Sequence, residues 1–385
     1  MVAAEGRGAR VVTVSVRWLP LLDIDAETLS AWTALGQAMP RSNPFAMPQF
    51  VLPAARWLTP RTPPLVALIE RRQAGSCELI GVGCFTRERP NLFVPVPHLA
   101  SYRTLHTFRS GLLVAPGETE SVAQSLLDDL HGKGKRFHAI GFHNLLAECP
   151  LLASLRERLD EGRGGWFEQH RFQRPVLRLH PPAQEHALDI IVMDRDLRRR
   201  KRRLEDRGTT AFRITLPDKT ADTNVAEAME THLRLEHAGW KGTAGTSLLA
   251  SPSQAGFFRE MILRFAQIDG AVFAETLCDG KVIASTSNLL LGDTLNGFKT
   301  GWHPDFAACS PGRLNEVFLS AAVPTAWPQV GIFDSQAQQD SYLSELLPHR
   351  DTMITGTLAV TRLGRRAMRT ARLIRPVAYR LDKAR

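Results

Sequence analysis

Residues 296–335 place the tightest constraint on what this chain can fold into. They read as strand, loop, helix and strand in succession. An apolar run from Leu295 to Trp302 contains Lys299, a turn-rich loop follows, a helix opens at Ser310-Pro311-Gly312-Arg313, and Val330-Gly331-Ile332-Phe333-Asp334-Ser335 closes the unit. A helix that starts at Pro-Gly leaves its first N–H groups without intrahelical partners. Those donors, with the positive end of the helix dipole, form a seat for a phosphate or diphosphate. Proline costs nothing there, since its missing N–H would have been unpaired anyway, and Gly312 lets an anion approach the backbone closely. The competing reading is a plainly capped helix with the Ser310 side chain as N-cap.

The 385 residues suggest two domains, and a hydrophobic content of 44% supports substantial cores. A net charge of +9 favours an anionic partner: coenzyme A, an anionic membrane surface or nucleic acid. The five cysteines are scattered, with no C-x-x-C or H-E-x-x-H pair, so no metal is expected and a reduced cytoplasmic setting is the simpler reading. No uninterrupted apolar stretch reaches the ~20 residues a membrane-crossing helix needs.

Two similar halves emerge along the chain, each with paired helices, a strand meander and a strand–helix–strand crossover. The first has a strand at Val11–Val16, helices at Ala26–Met39 and Pro48–Leu58, and a hairpin of Leu65–Glu70 with Glu78–Phe85. A helix at Glu118–His131, a strand at Phe137–Phe142 and a helix at Pro150–Glu161 come next, and strands at Trp166–Gln169 and Pro175–Leu179 end it. The second has helices at Asp194–Gly208, Ala221–Ala238 and Ser253–Ile268. A hairpin turns at Asp279-Gly280, and a last strand runs from Met353 to Thr361. The fold class expected is α+β (mixed α/β), as tandem domains at 1–190 and 191–361, with a basic amphipathic helix over 362–385 interrupted at Pro376.

Glu236 to Thr246 with its Trp240-Lys241-Gly242 core, Phe298-Lys299, Ser310-Pro311-Gly312 and Phe333-Asp334-Ser335 occur in an order and spacing that resemble the BioF2-like acetyltransferase group of the GNAT superfamily. That group includes proteins labelled cellulose-biosynthesis CelD. Asn43-Pro44-Phe45 through Phe50 resembles the start of the same group, and the paired halves resemble the Fem-type aminoacyltransferases. The resemblance implies a GNAT fold and an acyl-CoA-dependent transfer to an amine. It places the diphosphate at Ser310, Pro311, Gly312 and Arg313, although the usual Gln/Arg-x-x-Gly-x-Gly/Ala loop is absent. Bacterial ceramide synthases fall in this group, so a lipid amine such as a sphingoid base is one acceptor it allows.

Glu236 is the first choice for general base, on condition that burial raises its pKa towards neutrality. His237 and His232 are the alternatives. Lys299 and Lys241 suit a phosphate, a carboxylate or a developing thioester oxyanion. Asp334, at a strand end, is expected to pair with Lys299 or to orient the acceptor amine, the alternative being an N-cap for the next helix. Trp240, Lys241 and Gly242 are expected to line the acceptor side. The run Arg198 to Arg203 puts charge on every helix face, which suits a solvated helix near an anionic cofactor better than a nucleic-acid site without aromatic partners. The basic C-terminal helix fits either an anionic bilayer, and so a peripheral position at the cytoplasmic membrane, or packing on the domain. Two other functions stay open: Fem-like aminoacyl transfer from tRNA to a cell-wall precursor, and a non-catalytic role in polysaccharide assembly.

Overall fold

The computed structural model describes residues 12–58, 62–73, 75–132, 137–159, 165–179, 194–217 and 223–382, with the backbone alone at 223, 240 and 374–382. The first half runs β1 (Val12–Pro20), α1 (Ala26–Ala38), α2 (Pro48–Trp57), β2 (Leu65–Gln73), β3 (Ser76–Glu88), β4 (His98–Ser101), β5 (Leu113–Val114), α3 (Thr119–His131), β6 (Ala139–Leu146), α4 (Pro150–Leu159) and β7 (Gly165–Arg178). The second runs α5 (Arg195–Glu205), β8 (Thr210–Thr215), α6 (Thr223–Ala238), α7 (Pro252–Ala266), β9 (Ala271–Cys278), β10 (Lys281–Leu291), β11 (Thr294–Trp302), α8 (Pro311–Ala326), β12 (Ile332–Asp334) and β13 (His349–Ala359). The helix α9 (Arg362–Asp382) comes last.

One mixed sheet crosses the molecule in the order β1-β2-β3-β4-β6-β13-β7-β12-β11-β10-β9-β8, with β5 beside β3. The order is the same read inward from either edge: four antiparallel strands, then one paired in parallel through a helical crossover (β4 with β6, β11 with β12). The last strand of each half then leaves it. β7 pairs with β12 of the second half, and β13 inserts between β6 and β7. The two halves are therefore interlocked through one sheet.

The exchanged strands carry charge into the interior. Arg174 of β7 is fully buried; its Nη1 lies 3.7 Å from Asp334 Oδ2 and donates to Gln336 Oε1 at 2.6 Å, and its Nη2 donates to the Phe108 carbonyl at 2.6 Å. Asp351 of β13 is held by Arg178 at 2.6 Å and by Arg41. A second join is apolar: Trp32, Phe45 and Phe50 of the first half share one core with Phe257, Phe258 and Phe298 of the second.

Several expected boundaries shift. The two strands around Trp166 and Pro175 are one, β7; Pro175 is tolerated because pairing with β12 begins only at Val176. The basic run does bury an edge, because Leu197 and Leu204, seven residues apart, face the core. Helix α9 continues through Pro376, and its Met368 and Ala371 are buried, Met368 packing with Val94, Val96 and Ala359. The expected helix start at Ala221 lies outside the described residues.

Replacing Arg174 with Met removes the ion-pair partner of buried Asp334. The substitution is expected to lower unfolding free energy by about 3–5 kcal/mol, read as an earlier midpoint in urea denaturation; an unchanged midpoint contradicts this account of the interlock.

Candidate active site

β11 and β12 pair only over Thr294–Ile332, Leu295–Phe333 and Asn296–Asp334. On its other side β11 carries a bulge, since Ser287 pairs with Lys299 and Asn288 with Gly297, leaving Phe298 extra. A bulge bends a strand and increases its twist, and beyond it β11 diverges from β12. The gap is a cleft of about 500 Å³, lined among others by Lys241, Asn288, Lys299, Gly312, Glu316 and Tyr342.

The start of α8 forms one wall. Ser310 sits in the left-handed region (φ 48°) and its side chain makes no capping hydrogen bond. Its Oγ instead accepts from Arg200 Nη1 at 2.8 Å. The capped-helix reading is therefore replaced by an open helix end. Among the described residues the first hydrogen bond inside this helix is Leu314 N to Ser310 O, so the Gly312 and Arg313 amides have no intrahelical partner. A Cβ on Gly312 would sit 3.2 Å from Trp302 Cδ1 and 3.4 Å from Thr300 Cγ2. The basic helix α5 holds this loop. Besides Arg200, Arg203 Nη1 donates to the Ala308 carbonyl at 3.2 Å, and the nearby Arg207 reaches the Asp305 carbonyl at 2.5 Å. The Arg313 side chain lines the cleft but pairs with Glu345 at 2.8 Å.

Glu236 is buried near the end of α6 (Thr223–Ala238). Its Oε1 accepts from Lys241 Nζ at 3.0 Å and its Oε2 from the Leu248 amide at 2.8 Å. Burial pushes this carboxyl up, but Lys241, the Leu248 N–H and His232 together outweigh it and hold it below the ordinary range. The rise in pKa expected for a general base is absent; Glu236 here anchors Lys241, whose Nζ also donates to the Thr300 carbonyl at 3.2 Å.

Lys299 lies 5.4 Å over the Phe108 ring and 5.7 Å over Phe298, with no ion pair to a described residue. Burial first, then Lys241, lowers its pKa to about 8 against the opposing pull of Glu236.

Asp334 does not pair with Lys299. Strand alternation turns Phe333 and Ser335 to the cleft and Asp334 away from it, towards Arg174, and its Oδ1 accepts the Gln336 amide at 2.9 Å. His237 is exposed and bonded to Ser247 Oγ at 2.8 Å, outside the cleft lining. His232 is fully buried between Ser285 Oγ at 3.1 Å and Ser287 Oγ at 3.3 Å, and burial lowers its pKa to about 4. Gly242 sits against the His237 carbonyl, where a Cβ would collide, and the Trp240 side chain lies outside the described residues. Of the two expected acceptor-side residues that are fully described, Lys241 lines the cleft and Gly242 is not among its lining residues.

Two cleft residues gave no signal in the sequence. Glu316, five residues into α8, bonds to Thr300 Oγ1 at 3.1 Å through Oε1, while its buried Oε2 has no partner. Burial, opposed by the Thr300 hydrogen bond, raises its pKa to about 7. The buried Asn288 Oδ1 is likewise unpartnered. Two orphaned polar atoms and two free amides along one cleft are what a long ligand with amide and phosphate groups would satisfy.

Residues 193–316 match the family model for the acetyltransferase (GNAT) domain. This stretch is a GNAT acetyltransferase domain, and the protein is an acyltransferase. Its fold is similar to that of FemX (10% identity, TM-score 0.55, 90% of this chain and 97% of that one). It is also similar to a protein of unknown function from Bacteroides thetaiotaomicron (11%, 0.52, 89% and 99%) and to L-PGS from Bacillus licheniformis (12%, 0.50, 87% and 91%). At these identities the likeness is one of fold. No curated protein matches the chain in sequence.

Glu316 makes stability depend on pH. Its pKa rises from 4.5 in the unfolded chain to about 7 in the fold. The favourable contribution of the neutral carboxyl is complete below 4.5 and is lost as pH climbs through about 7. Unfolding free energy is expected to fall by about 2–3 kcal/mol between pH 5 and pH 8 from this group, and Glu316→Gln is expected to flatten that portion of the curve in urea titrations at each pH.

Proposed function

We propose that this acyltransferase takes its acyl group from a coenzyme A thioester and transfers it to an amine. The observation that carries the reading is the uncapped start of α8 (Pro311–Ala326) facing the gap between β11 and β12. The Gly312 and Arg313 amides would hold the diphosphate, with Arg200 adding positive charge behind Ser310. The pantetheine arm would run along β11 past Thr300 and Glu316, whose protonated carboxyl can donate to an amide carbonyl. The thioester would lie at the bulge, where Lys299 meets developing negative charge on the carbonyl oxygen. As the amine nitrogen attacks, the C–N bond forms, the C–S bond breaks, and the proton leaving nitrogen ends on the sulfur.

In this scheme Lys241 adds positive charge beside the pantetheine arm, and Glu236 is a positioning residue that holds it. In the same scheme Asp334 and His237 do not touch the substrate: Asp334 faces Arg174 and the Gln336 amide, and His237 bonds Ser247. We assign donor binding to the second half, within the proposed 191–361 unit. For the acceptor we favour a lipid amine presented at an anionic membrane surface on the cytoplasmic side. The reading is supported by the arginine-rich α9 (Arg362–Asp382), whose Leu363 and Leu373 are exposed while Met368 and Ala371 are packed.

Isothermal calorimetry with acetyl-CoA and a long-chain acyl-CoA tests the donor. Wild type is expected to bind at least one, and Gly312→Val to weaken binding tenfold or more by crowding Trp302 and Thr300. A folded protein that binds neither, yet transfers an aminoacyl group from tRNA, replaces this donor with the Fem-like one. Under saturating donor, Lys299→Ala is expected to reduce turnover about 100-fold, the loss of one oxyanion-stabilising group. Glu236→Gln should act more weakly and through Lys241, so that it changes little once Lys241→Ala is present. Wild-type turnover in Lys299→Ala removes that residue from the chemistry.

A further inference from the structure

The first half reaches into the second half's site through the loop after β4 (His98–Ser101). Thr104 N donates to Thr107 Oγ1 at 2.9 Å and His106 N to Thr104 Oγ1 at 3.1 Å, which ties the loop into a fixed turn. Its far end is fixed by the Phe108 carbonyl, which accepts from Arg174 at 2.6 Å. The loop places Phe108 and His106 against Phe298, the bulged residue of β11, with ring centroids 5.6 Å and 6.2 Å from it. Phe108 lines the donor cleft. His106 lines a different cavity, of about 350 Å³, walled also by Trp57, Tyr102, Leu105, Ser253 and Gln254. The two spaces adjoin at the Phe298 ring, close to Lys299.

His106 is 5% exposed, and neither of its ring nitrogens has a hydrogen-bond partner. Gln254 lies near enough to the ring to raise its pKa a little against burial, yet makes no hydrogen bond with either nitrogen. A buried imidazole with both nitrogens unsatisfied is costly, because each forgoes a bond to water. The ring is held by stacking on Phe257 at 5.2 Å and an interplanar angle of 5°. Burial foremost, then Lys299, pushes its pKa down to about 3, so it is neutral at physiological pH, with one nitrogen accepting and the other donating.

We propose that the cavity beneath Trp57 and Leu105 is the entry for the acceptor, and that His106 accepts a hydrogen bond from the acceptor's amine and holds it where the two cavities meet. This rests on the acyl transfer proposed above. Trp57, Leu58, Tyr102 and Leu105 in its wall favour a primary amine carried on an apolar body, and the Arg103 guanidinium, also in the lining, favours its uncharged form. His106 is neutral before and after turnover. It orients the nitrogen lone pair towards the thioester carbon, and the proton released as C–N replaces C–S is taken by the sulfur.

The test uses the full chain with acetyl-CoA, 2-phenylethylamine and ethanolamine, following release of the coenzyme A thiol. Ser253 is exposed at the cavity mouth, so Ser253→Trp narrows the entry without disturbing the core. The expected result is preference for 2-phenylethylamine, a KM for it raised at least tenfold in Ser253→Trp, and kcat lowered at least tenfold in His106→Phe, which keeps the stacking. Calorimetric affinity for acetyl-CoA should stay within twofold in both. Unchanged acceptor KM in Ser253→Trp together with unchanged kcat in His106→Phe overturns the proposal. If neither amine is a substrate, the His106 imidazole resonances in NMR decide. A shift on adding 2-phenylethylamine sustains the site, and none overturns it. Absence of acetyl-CoA binding to wild type is a separate outcome, since it removes the donor reading while the NMR arm still tests the cavity.

Discussion

β11 (Thr294–Trp302) and β12 (Ile332–Asp334) share a backbone ladder for three residue pairs and then part, and the site is set by where they part. Parallel neighbours that stayed paired would consume the amides and carbonyls of β11 and leave no cleft. The extra residue at Phe298 bends β11 away, while α8 must still run back to deliver β12 beside it. That geometry brings the N-terminal end of α8 level with the open stretch of β11, so free helix amides and unpaired strand edge face the same space. Arg200, Arg203 and Arg207 then hold the loop before α8 from behind, which fixes the direction in which the amides point.

The two halves cannot be understood as beads on a string. β7 (Gly165–Arg178) and β13 (His349–Ala359) each complete the other half's sheet, and the charges they carry are matched across that exchange, Arg174 to Asp334 and Arg178 to Asp351. A buried pair of this kind contributes little net stability against an apolar substitute, but it penalises any register that separates the partners. Arg174 also grips the Phe108 carbonyl, so the same side chain that fixes the strand exchange fixes the loop carrying Phe108 and His106. Interlock and site geometry are thus one constraint.

The crossover unit, the second-half hairpin and most helices were legible because each is a local signal: alternation, Asp279-Gly280, and Pro at the start of α2, α7 and α8. Lys299 within an apolar strand and the Pro311-Gly312 helix start are local signals of the same kind. What escaped depends on distance. Asp334 looked available because its partner, Arg174, belongs to the other half of the chain. Glu236 reads as a base until the chain folds back at Leu248, whose amide joins the neighbouring Lys241 in stabilising its charge. Glu316 reads as an ordinary charged helix residue until the sheet covers it, and His106 sits in a segment whose relation to Phe298 exists only after the halves interlock. The arginine run looked solvated because a single buried edge, Leu197 and Leu204, is easily hidden among six cations.

The same topology occurs once more, at the parallel pairing of Leu99 and Ala100 with Ile140 and Gly141, and α3 (Thr119–His131) leads into that pairing as α8 leads into β12. The two helix starts differ in charge. α8 has no acid in its first turn and a guanidinium behind its cap residue. α3 has Glu118 at the cap and Glu120 in the first turn, and these are held by Arg71 at 2.6 Å and by Arg158. Carboxylates at those positions already satisfy the positive end of the dipole, and an incoming phosphate would be repelled where α8 attracts it. That contrast supports placing the donor in the second half, and it frees the first half to supply walls and loops, of which the turn carrying Phe108 lines the cleft beside β11.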